Sequence, residues 1–301
     1  MNKVGIVLLN YNSSNNCIKL AELYGKMEIV NSIVIVDNNS TDNSIKAFET
    51  SHFSKKVKLI RNEFNAGYAK GNNIGLRYLV DISGCSICIV SNPDVIIDED
   101  DLVKVISYFD CTDYALLTCR RKYSDGSHMR QYWNLPTIKS ILLESSAIYR
   151  KWNLKHEFFQ VNNDSDEVIE IEAAPGAFFA IRSDVLKSID YLDEDTFLYY
   201  EENFLGYKLQ LYGYKLGYVT SAIYISDNEK SSTNVIKKSG KAFEYQCESK
   251  KRYVEKYLCN NSVIAIVLKC AIDYSLLEIR LLSFVKKVIR LNSNEKLSKF
   301  K

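Results

Sequence analysis

Apolar runs of strand length recur through the first ninety residues, and polar clusters close three of them. VGIVLL at 4–9 runs into Asn10, Tyr11 and Asn12. IVIV at 33–36 runs into Asp37, Asn38, Asn39 and Ser40, and ICIV at 87–90 is followed by Asn92, Pro93 and Asp94. A fourth run, VKLI at 57–60, stands between the last two. Runs without polar alternation suit parallel strands covered on both faces. Helical spacing fills the gaps: Ile18, Leu20, Ala21, Tyr24 and Met27 within 17–27, a short segment from about Asp42, and a glycine-led segment over 68–80. The β-α-β-α-β-α-β alternation predicts an α/β chain with a doubly wound, mostly parallel sheet. Such sheets hold ligands outside the carboxyl ends of their strands, which is where the polar clusters fall.

The second half is less regular. Residues 176–182 alternate like a strand, and Ser183 stands where it would cap the short helix that follows. Residues 201–213 read as a helix, 215–219 and 222–225 as strands, and from about 240 the pattern is helical almost to the end. Cys85 and Cys88 form a CxxC, but inside an apolar run that reads as a buried strand, with no second pair and no nearby His. Zinc and redox chemistry are therefore not expected of them. Eight apparently unpaired cysteines fit a reducing cytoplasm. The N-terminal apolar stretch is too short for a signal peptide or a membrane span.

Four constellations can carry chemistry. Asp37 is an acceptor-only carboxylate at a strand end, suited to a nucleobase imide or a ribose hydroxyl; the same residues also suit a turn and a helix cap. In residues 65–75, NAGYAKGNNIG, backbone N–H groups and Lys70 could face a phosphate, though this is not a Walker A loop. Asp94 with Asn92 offers oxygen ligands to a hard divalent cation beside a diphosphate, or makes an Asx-Pro turn. Glu201 and Glu202 follow the aromatic run 197–200, where repulsion and lost solvation raise a pKa and suit a general base. They equally suit the acidic first turn of a helix.

In this order the segments VGIVLLNYN, IVIVDNNSTDNS, NAGYAKGNNIGL, SNPDV, PGAFFAIRSDVL and FLYYEENFLGYKLQLYGY resemble the family-2 glycosyltransferases, particularly the rhamnosyltransferase-like bacterial branch, over roughly residues 3–226. The resemblance implies a GT-A fold over 1–230, with a nucleotide-binding half at 1–110 and an acceptor-binding half at 111–230, and a C-terminal helical extension at 231–301. By similarity, Asn10, Tyr11 and Asp37 would hold the nucleoside, with Asn39 in the same nucleotide-sugar set. Asn65, Gly67 and Lys70 would border the donor. Asn92 and Asp94 stand at the family's DxD metal motif, for Mn2+ or Mg2+, and Gly176 and Ala177 would lie beneath the transferred sugar. Glu202 would be the base, with Glu201 as runner-up. Four positions depart from the pattern. Asn92 replaces the first acid of DxD, and the base is Glu rather than Asp. Phe204 stands where an acid often follows, and Ile225–Glu229 holds no metal-binding His, so that Asp227 is its substitute.

The implied activity is inverting transfer of a hexosyl or deoxyhexosyl group from a UDP- or dTDP-sugar to a lipid-linked glycan, in O-antigen or capsule assembly. The rival is a non-catalytic GT-A-fold partner or carbohydrate-binding protein. A nucleotidyltransferase would need a Gly-rich, Arg/Lys-bearing N-terminal signature that Val4–Asn12 lacks.

Charge is uneven along the chain. Residues 235–301 hold fifteen Lys and Arg against six Asp and Glu, while the whole chain is only +2. A basic tail behind an acidic body suggests an anionic partner. Lys269, Asp273, Glu278 and Arg280 interrupt 262–290 too often for a membrane span. Two readings stay open for the tail: a helix lying in an anionic membrane interface, or one packed on the catalytic domain or on a second subunit as a homodimer. No nucleic-acid module is recognisable. The expected location is cytoplasmic, peripheral at the inner face of the membrane if the tail binds lipid.

Overall fold

The structure, a computed structural model, describes residues 2–127, 132–146, 149, 168–226, 241–259 and 261–298, the stretch 283–298 as helix backbone alone. It divides into two compact units. One comprises residues 1–135 and 158–249, the other residues 136–157 and 250–301.

The first unit is built on the expected alternation. Strands β1 (Val4–Asn10), β2 (Val30–Asp37), β3 (Val57–Arg61) and β4 (Ile87–Ser91) are joined by α1 (Ser14–Lys26), α2 (Ser44–Thr50) and α3 (Tyr68–Arg77), the last running on through a wider π-turn, Tyr78–Ile82. All four strands are parallel, in the order β3-β2-β1-β4. Their unbroken apolar character has a direct cause. Ile6 and Leu8 of β1 pack into one core with Leu20 and Tyr24 of α1, while Val7 packs into the opposite core with Leu76 of α3. Side chains alternate faces along a strand, so a sheet covered on both sides has no polar position to spare.

The sheet then turns mixed. β5 (Val95–Ile97), α4 (Glu99–Cys111), β6 (Leu116–Lys122), β7 (Val168–Ile171), β8 (Phe178–Arg182), α6 (Ser183–Ser188), α7 (Glu201–Leu211) and β9 (Leu216–Ser226) extend the order to β3-β2-β1-β4-β8-β6-β9-β5, with β7 on β9; the intervening α5 (Ile138–Glu144) belongs to the second unit. Three registers position the site. Asn10 lies opposite Asp37, so β1 and β2 end level, and Leu8 lies opposite Ser91, so β4 ends two residues short of them. β8 runs antiparallel to β4 with Phe178 opposite Ser91, which brings the residues just before β8 to that same edge. β5 turns back onto the end of β9, with Val95 opposite Ser226.

Two sequence expectations need correction. The strands expected at 215–219 and 222–225 are one strand, β9, whose pairing with β6 jumps from Cys119–Val219 to Arg120–Ile223. The extra residues bow out in a bulge without ending the strand. Ser183 does not cap α6: its hydroxyl donates to the buried Cys85 carbonyl at 2.6 Å, and Arg182 takes the N-cap position. Helix α4 carries its start signal in the sequence. Asp98 caps it, accepting from Asp101 N at 2.8 Å, and Glu99, Asp100 and Asp101 fill its first turn. Such a cap is worth about 1 kcal/mol.

All eight cysteines are free thiols. Cys88 lies in β4 with its Sγ 3.4 Å from Ser183 Oγ, and burial pushes its pKa up to about 12. Cys88 thus sits in the buried strand that its apolar run predicts.

In the second unit, α9 (Ser262–Ser298) packs on α5 and on the π-turn Val254–Leu258 that continues α8 (Lys241–Tyr253). Lys250 Nζ pairs with Glu144 and Lys251 Nζ with Asp273, each at 2.5 Å. Among the described residues no helix is long and apolar enough to cross a membrane.

Candidate active site

The site begins at the level ends of β1 and β2. Asp37 is 1 % exposed. Its Oδ1 accepts from Asn10 Nδ2 at 2.7 Å and from Ser40 Oγ at 2.6 Å, and its Oδ2 from Ser40 N at 3.1 Å. The carboxylate thus ties the two strand ends together. Tyr11, half-buried, and Asn39, exposed, flank this knot. Asn39 and Asn12 both sit in the left-handed region, with φ of 58° and 56°. Asn is among the few non-glycine residues that tolerate it.

Asn38 does what the sequence did not reveal. Buried, it donates to Asn65 Oδ1 and to Gly67 O, both at 3.0 Å, and accepts from Asn62 Nδ2 at 3.1 Å and Ala66 N at 3.0 Å. One amide therefore fixes the whole 62–67 loop. Two backbone donors of this stretch are already taken. The Gly67 N–H is taken by Asn65 Oδ1 at 3.1 Å and the Tyr68 N–H by Phe197 O at 2.9 Å. Gly67 has φ +82°, and a Cβ there would lie 2.3 Å from Phe197 O. The glycine admits the Phe197 backbone at close range. Lys70 is exposed, its ammonium 5.6 Å from the Phe64 ring centroid.

The segment held by this loop carries the acidic pair. Ser249 Oγ of α8 donates to Leu198 O at 3.1 Å, and the Tyr245 ring lies 5.0 Å from that of Phe197. Tyr199 and Tyr200 follow with φ of 69° and 75°. Two successive non-glycine residues at positive φ are a strained bend of the kind that surrounding structure must impose. The bend starts α7 abruptly and points its first two carboxylates back across the sheet edge. Glu202 Oε1 accepts from Gly176 N at 3.3 Å, and Tyr68 Oη donates to Gly176 O. A cavity is bordered by Tyr68, Gly176, Asp193, Glu201 and Glu202, among others.

Burial first, and the Glu202 charge second, push Glu201 from its ordinary 4.5 up to about 8. Burial and the same two carboxylates hold the Tyr68 phenol well above its usual value, so it keeps its proton and donates. Glu201 therefore carries a proton near neutrality. Between pH 4.5 and 8 the folded chain binds a proton that the unfolded chain has released, so this group's stabilising contribution is full below 4.5 and lost as pH rises towards 8. Glu201→Gln should flatten that decline in a series of melting temperatures against pH. An unaltered slope would show that Glu201 is not the group responsible.

Gly176 and Ala177 join the acidic pair to the end of β4. Asn92 N donates to Ala177 O at 2.8 Å, and two residues on, Asp94 Oδ2 accepts from Ser226 Oγ at 2.9 Å. Ser226 Oγ also accepts from Arg121 Nη2 at 3.1 Å. Asn10, Asp37, Asn92, Asp94, Gly176, Ala177 and Glu202 thus share one edge, while Asp37 and Asp94 stand outside the cavity under Glu202. Asp227 lies outside the described residues. Among the described residues no three His, Cys, Asp or Glu gather around a common metal position. Phe204 is fully buried in α7, a core residue at the position where an acid was expected by similarity.

The sequence profile described as Glycosyl transferase family 2 matches residues 17–189. The chain belongs to that family. Among its curated relatives is the low-salt glycan biosynthesis hexosyltransferase Agl10 of Haloferax volcanii, 27 % identical over 207 residues, covering 67 % of this chain and 60 % of that one. An uncharacterized protein of Methanocaldococcus jannaschii is 28 % identical over 147 residues, 46 % of this chain and 62 % of that one. The chain therefore spans about 60 % of the length of these relatives. Solved structures share the fold. GalNAc-T7 with UDP, GalNAc and Mn2+ aligns with a TM-score of 0.57 at 14 % identity over 75 % of this chain and 44 % of that one. The mannosyltransferase PcManGT of Pyrobaculum calidifontis, with GDP-Man and Mn2+, aligns with 0.56 at 11 % identity over 100 % and 81 %. S. aureus TarS residues 1–349 with UDP-GlcNAc aligns with 0.55 at 15 % identity over 92 % and 71 %. The family-2 member described here thus has the expected GT-A fold, with a helical C-terminal region. These matches do not single out a rhamnosyltransferase-like branch within the family.

Proposed function

We propose that the chain transfers a hexosyl or deoxyhexosyl group, with inversion, from a nucleotide-diphosphate sugar to a glycan hydroxyl. One observation carries the reading: the Gly176–Ala177 backbone joins the Glu202 carboxylate to the Asn92–Asp94 turn, so a base and a diphosphate-binding turn meet at one sheet edge. Glu202 accepts the proton of the acceptor hydroxyl as its oxygen attacks the anomeric carbon from behind. Gly176 keeps the floor beneath the sugar clear, since a Cβ there would stand 3.1 Å from Glu202 Oε1. Asn10, Tyr11, Asp37 and Asn39 border the nucleoside, and Asn65 and Lys70 the donor.

Asp94 and Asn92 would hold a divalent cation, Mn2+ or Mg2+, with Asp227 as the further candidate ligand. The donor set suits this, because such ions take one or two carboxylates and complete their shell from phosphates and water. When bound, the cation neutralises the charge that grows on the leaving diphosphate. Ser226 Oγ donates to one Asp94 oxygen at 2.9 Å and so fixes its orientation. The acceptor class we favour is a lipid-linked glycan in surface-polysaccharide assembly, a reading supported by the glycan-biosynthesis relative.

A thermal-shift screen of UDP-, dTDP- and GDP-sugars, with and without manganese, tests the reading. Stabilisation by at least one donor that requires the cation is expected. Asp94→Ala should then weaken manganese-dependent donor binding by about ten- to a hundredfold in calorimetry. Binding of equal strength in the variant would remove Asp94 from the metal site. No response to any nucleotide sugar would favour a non-catalytic role.

A further inference from the structure

Helix α9 has two faces. One is used within its own unit, where Leu268, Ile272 and Ser275 are buried. The other is apolar and open: Val263, Val267, Tyr274, Leu277 and Leu281 are each 51–68 % exposed, and Cys270 between them is exposed. These six positions alternate at intervals of four and three, and the same intervals continue in sequence through Phe284, Val288 and Leu291. The helix backbone is continuous across all nine, from Ser262 to Ser298.

The period decides what such a face fits. Alternate fours and threes are a 3.5-residue repeat, sustained here over four heptads. On a straight helix of 3.6 residues per turn that stripe drifts by about 20° per heptad, or roughly 80° across its length. A flat bilayer surface is served by a stripe of period 3.6 that stays on one side. A second helix supercoiled on the first follows the drift. Soluble monomers seldom leave joined apolar patches of more than a few hundred Å² bare.

We infer that this face of α9 is a coiled-coil seam, occupied by α9 of a second copy of the chain running antiparallel. Flanking charges set the direction. With Val267, Tyr274, Leu281 and Val288 at a, and Val263, Cys270, Leu277, Phe284 and Leu291 at d, Asp273 and Arg280 fall at g and Glu278 at e. In a parallel pair Asp273 would face the partner's Glu278, like charge against like. In an antiparallel pair g positions face each other, so Asp273 meets the partner's Arg280 and the reverse contact repeats it. Asp273 also binds Lys251 of its own unit, which leaves its sign unchanged for that contact. The antiparallel layers are then Tyr274 on the partner's Leu277 and Leu281 on the partner's Cys270.

Light scattering after size exclusion tests the seam on the purified full chain. The expected mass is twice 34.6 kDa, falling to the single-chain value for Leu277→Glu with helix content by circular dichroism retained. Oxidation of Leu281→Cys should link two chains through Cys270, and adding Cys270→Ser should abolish the link. A single-chain mass for the natural sequence at every concentration overturns the inference. So does a dimer that survives Leu277→Glu, or a Leu281→Cys variant that never cross-links. A single chain that floats with phosphatidylglycerol vesicles and loses them on Leu277→Glu would give the face to lipid instead.

Discussion

Replacing Glu202 with glutamine lowers the turnover of sugar transfer by about a hundredfold or more, with nucleotide-sugar affinity nearly unchanged. Glutamine has the same length, and its amide oxygen can still accept the Gly176 N–H that Glu202 Oε1 takes at 3.3 Å. The positive-φ bend at Tyr199 and Tyr200 and the start of α7 remain as they are. What is lost is the carboxylate lone pair that can take up the acceptor's proton. The neighbouring change separates base from bystander. Glu201 carries its proton near neutrality, because burial and the Glu202 charge push it up, so Glu201→Gln removes little that transfer uses. Initial rates under saturating donor, paired with calorimetric affinities, distinguish the two. Natural turnover in Glu202→Gln, or a large fall in Glu201→Gln alone, would reverse the assignment.

Much of this arrangement was legible because it repeats. Strands β1, β2 and β4 show themselves as apolar runs since both sheet faces are covered, and their parallel register then brings the polar residues that follow them to one edge. What lacked a period stayed hidden. β5 has three residues with Ile96 exposed, and β7 is four residues long with one buried position. The Arg121–Ser226–Asp94 chain joins residues more than a hundred positions apart, and such pairings leave no trace in local spacing. Asn38 sat in full view beside Asp37, yet nothing in a turn-like Asp-Asn-Asn-Ser tells a capping amide from one that anchors a loop 24 to 29 residues away.

The glycine-rich loop shows a different limit. Glycine spacing announces that something comes close but not what. Gly71 and Gly75 lie against Leu9 and Val7, where an added Cβ would stand 2.6 Å from the nearest side-chain atom, so they let α3 settle onto β1. At Gly67 the approaching group is the Phe197 backbone, which the spacing could not name.

That approach makes Gly67→Ala the most damaging small substitution expected in the chain. At φ 82° and ψ −172° Gly67 occupies a region that is nearly closed to other residues, a strain of about 1–3 kcal/mol. The new methyl would also stand 2.3 Å from Phe197 O and 2.9 Å from Phe197 C and Cα. A carbonyl that accepts the Tyr68 N–H cannot swing aside as a flexible side chain would. Strain and collision together should destabilise the first unit by about 3 kcal/mol or more, a large share of a typical domain's stability. The displaced segment leads directly into Glu201 and Glu202, so transfer should fall even where the chain remains folded. Gly84→Ala supplies the comparison. Gly84 has φ +64°, but nothing lies within 4 Å of its would-be Cβ, so only backbone strain of about 1 kcal/mol remains. Urea denaturation of the two variants side by side reads the difference. Equal losses would mean that the Phe197 carbonyl does not set the cost, and that the loop does not hold the acidic pair in the way described.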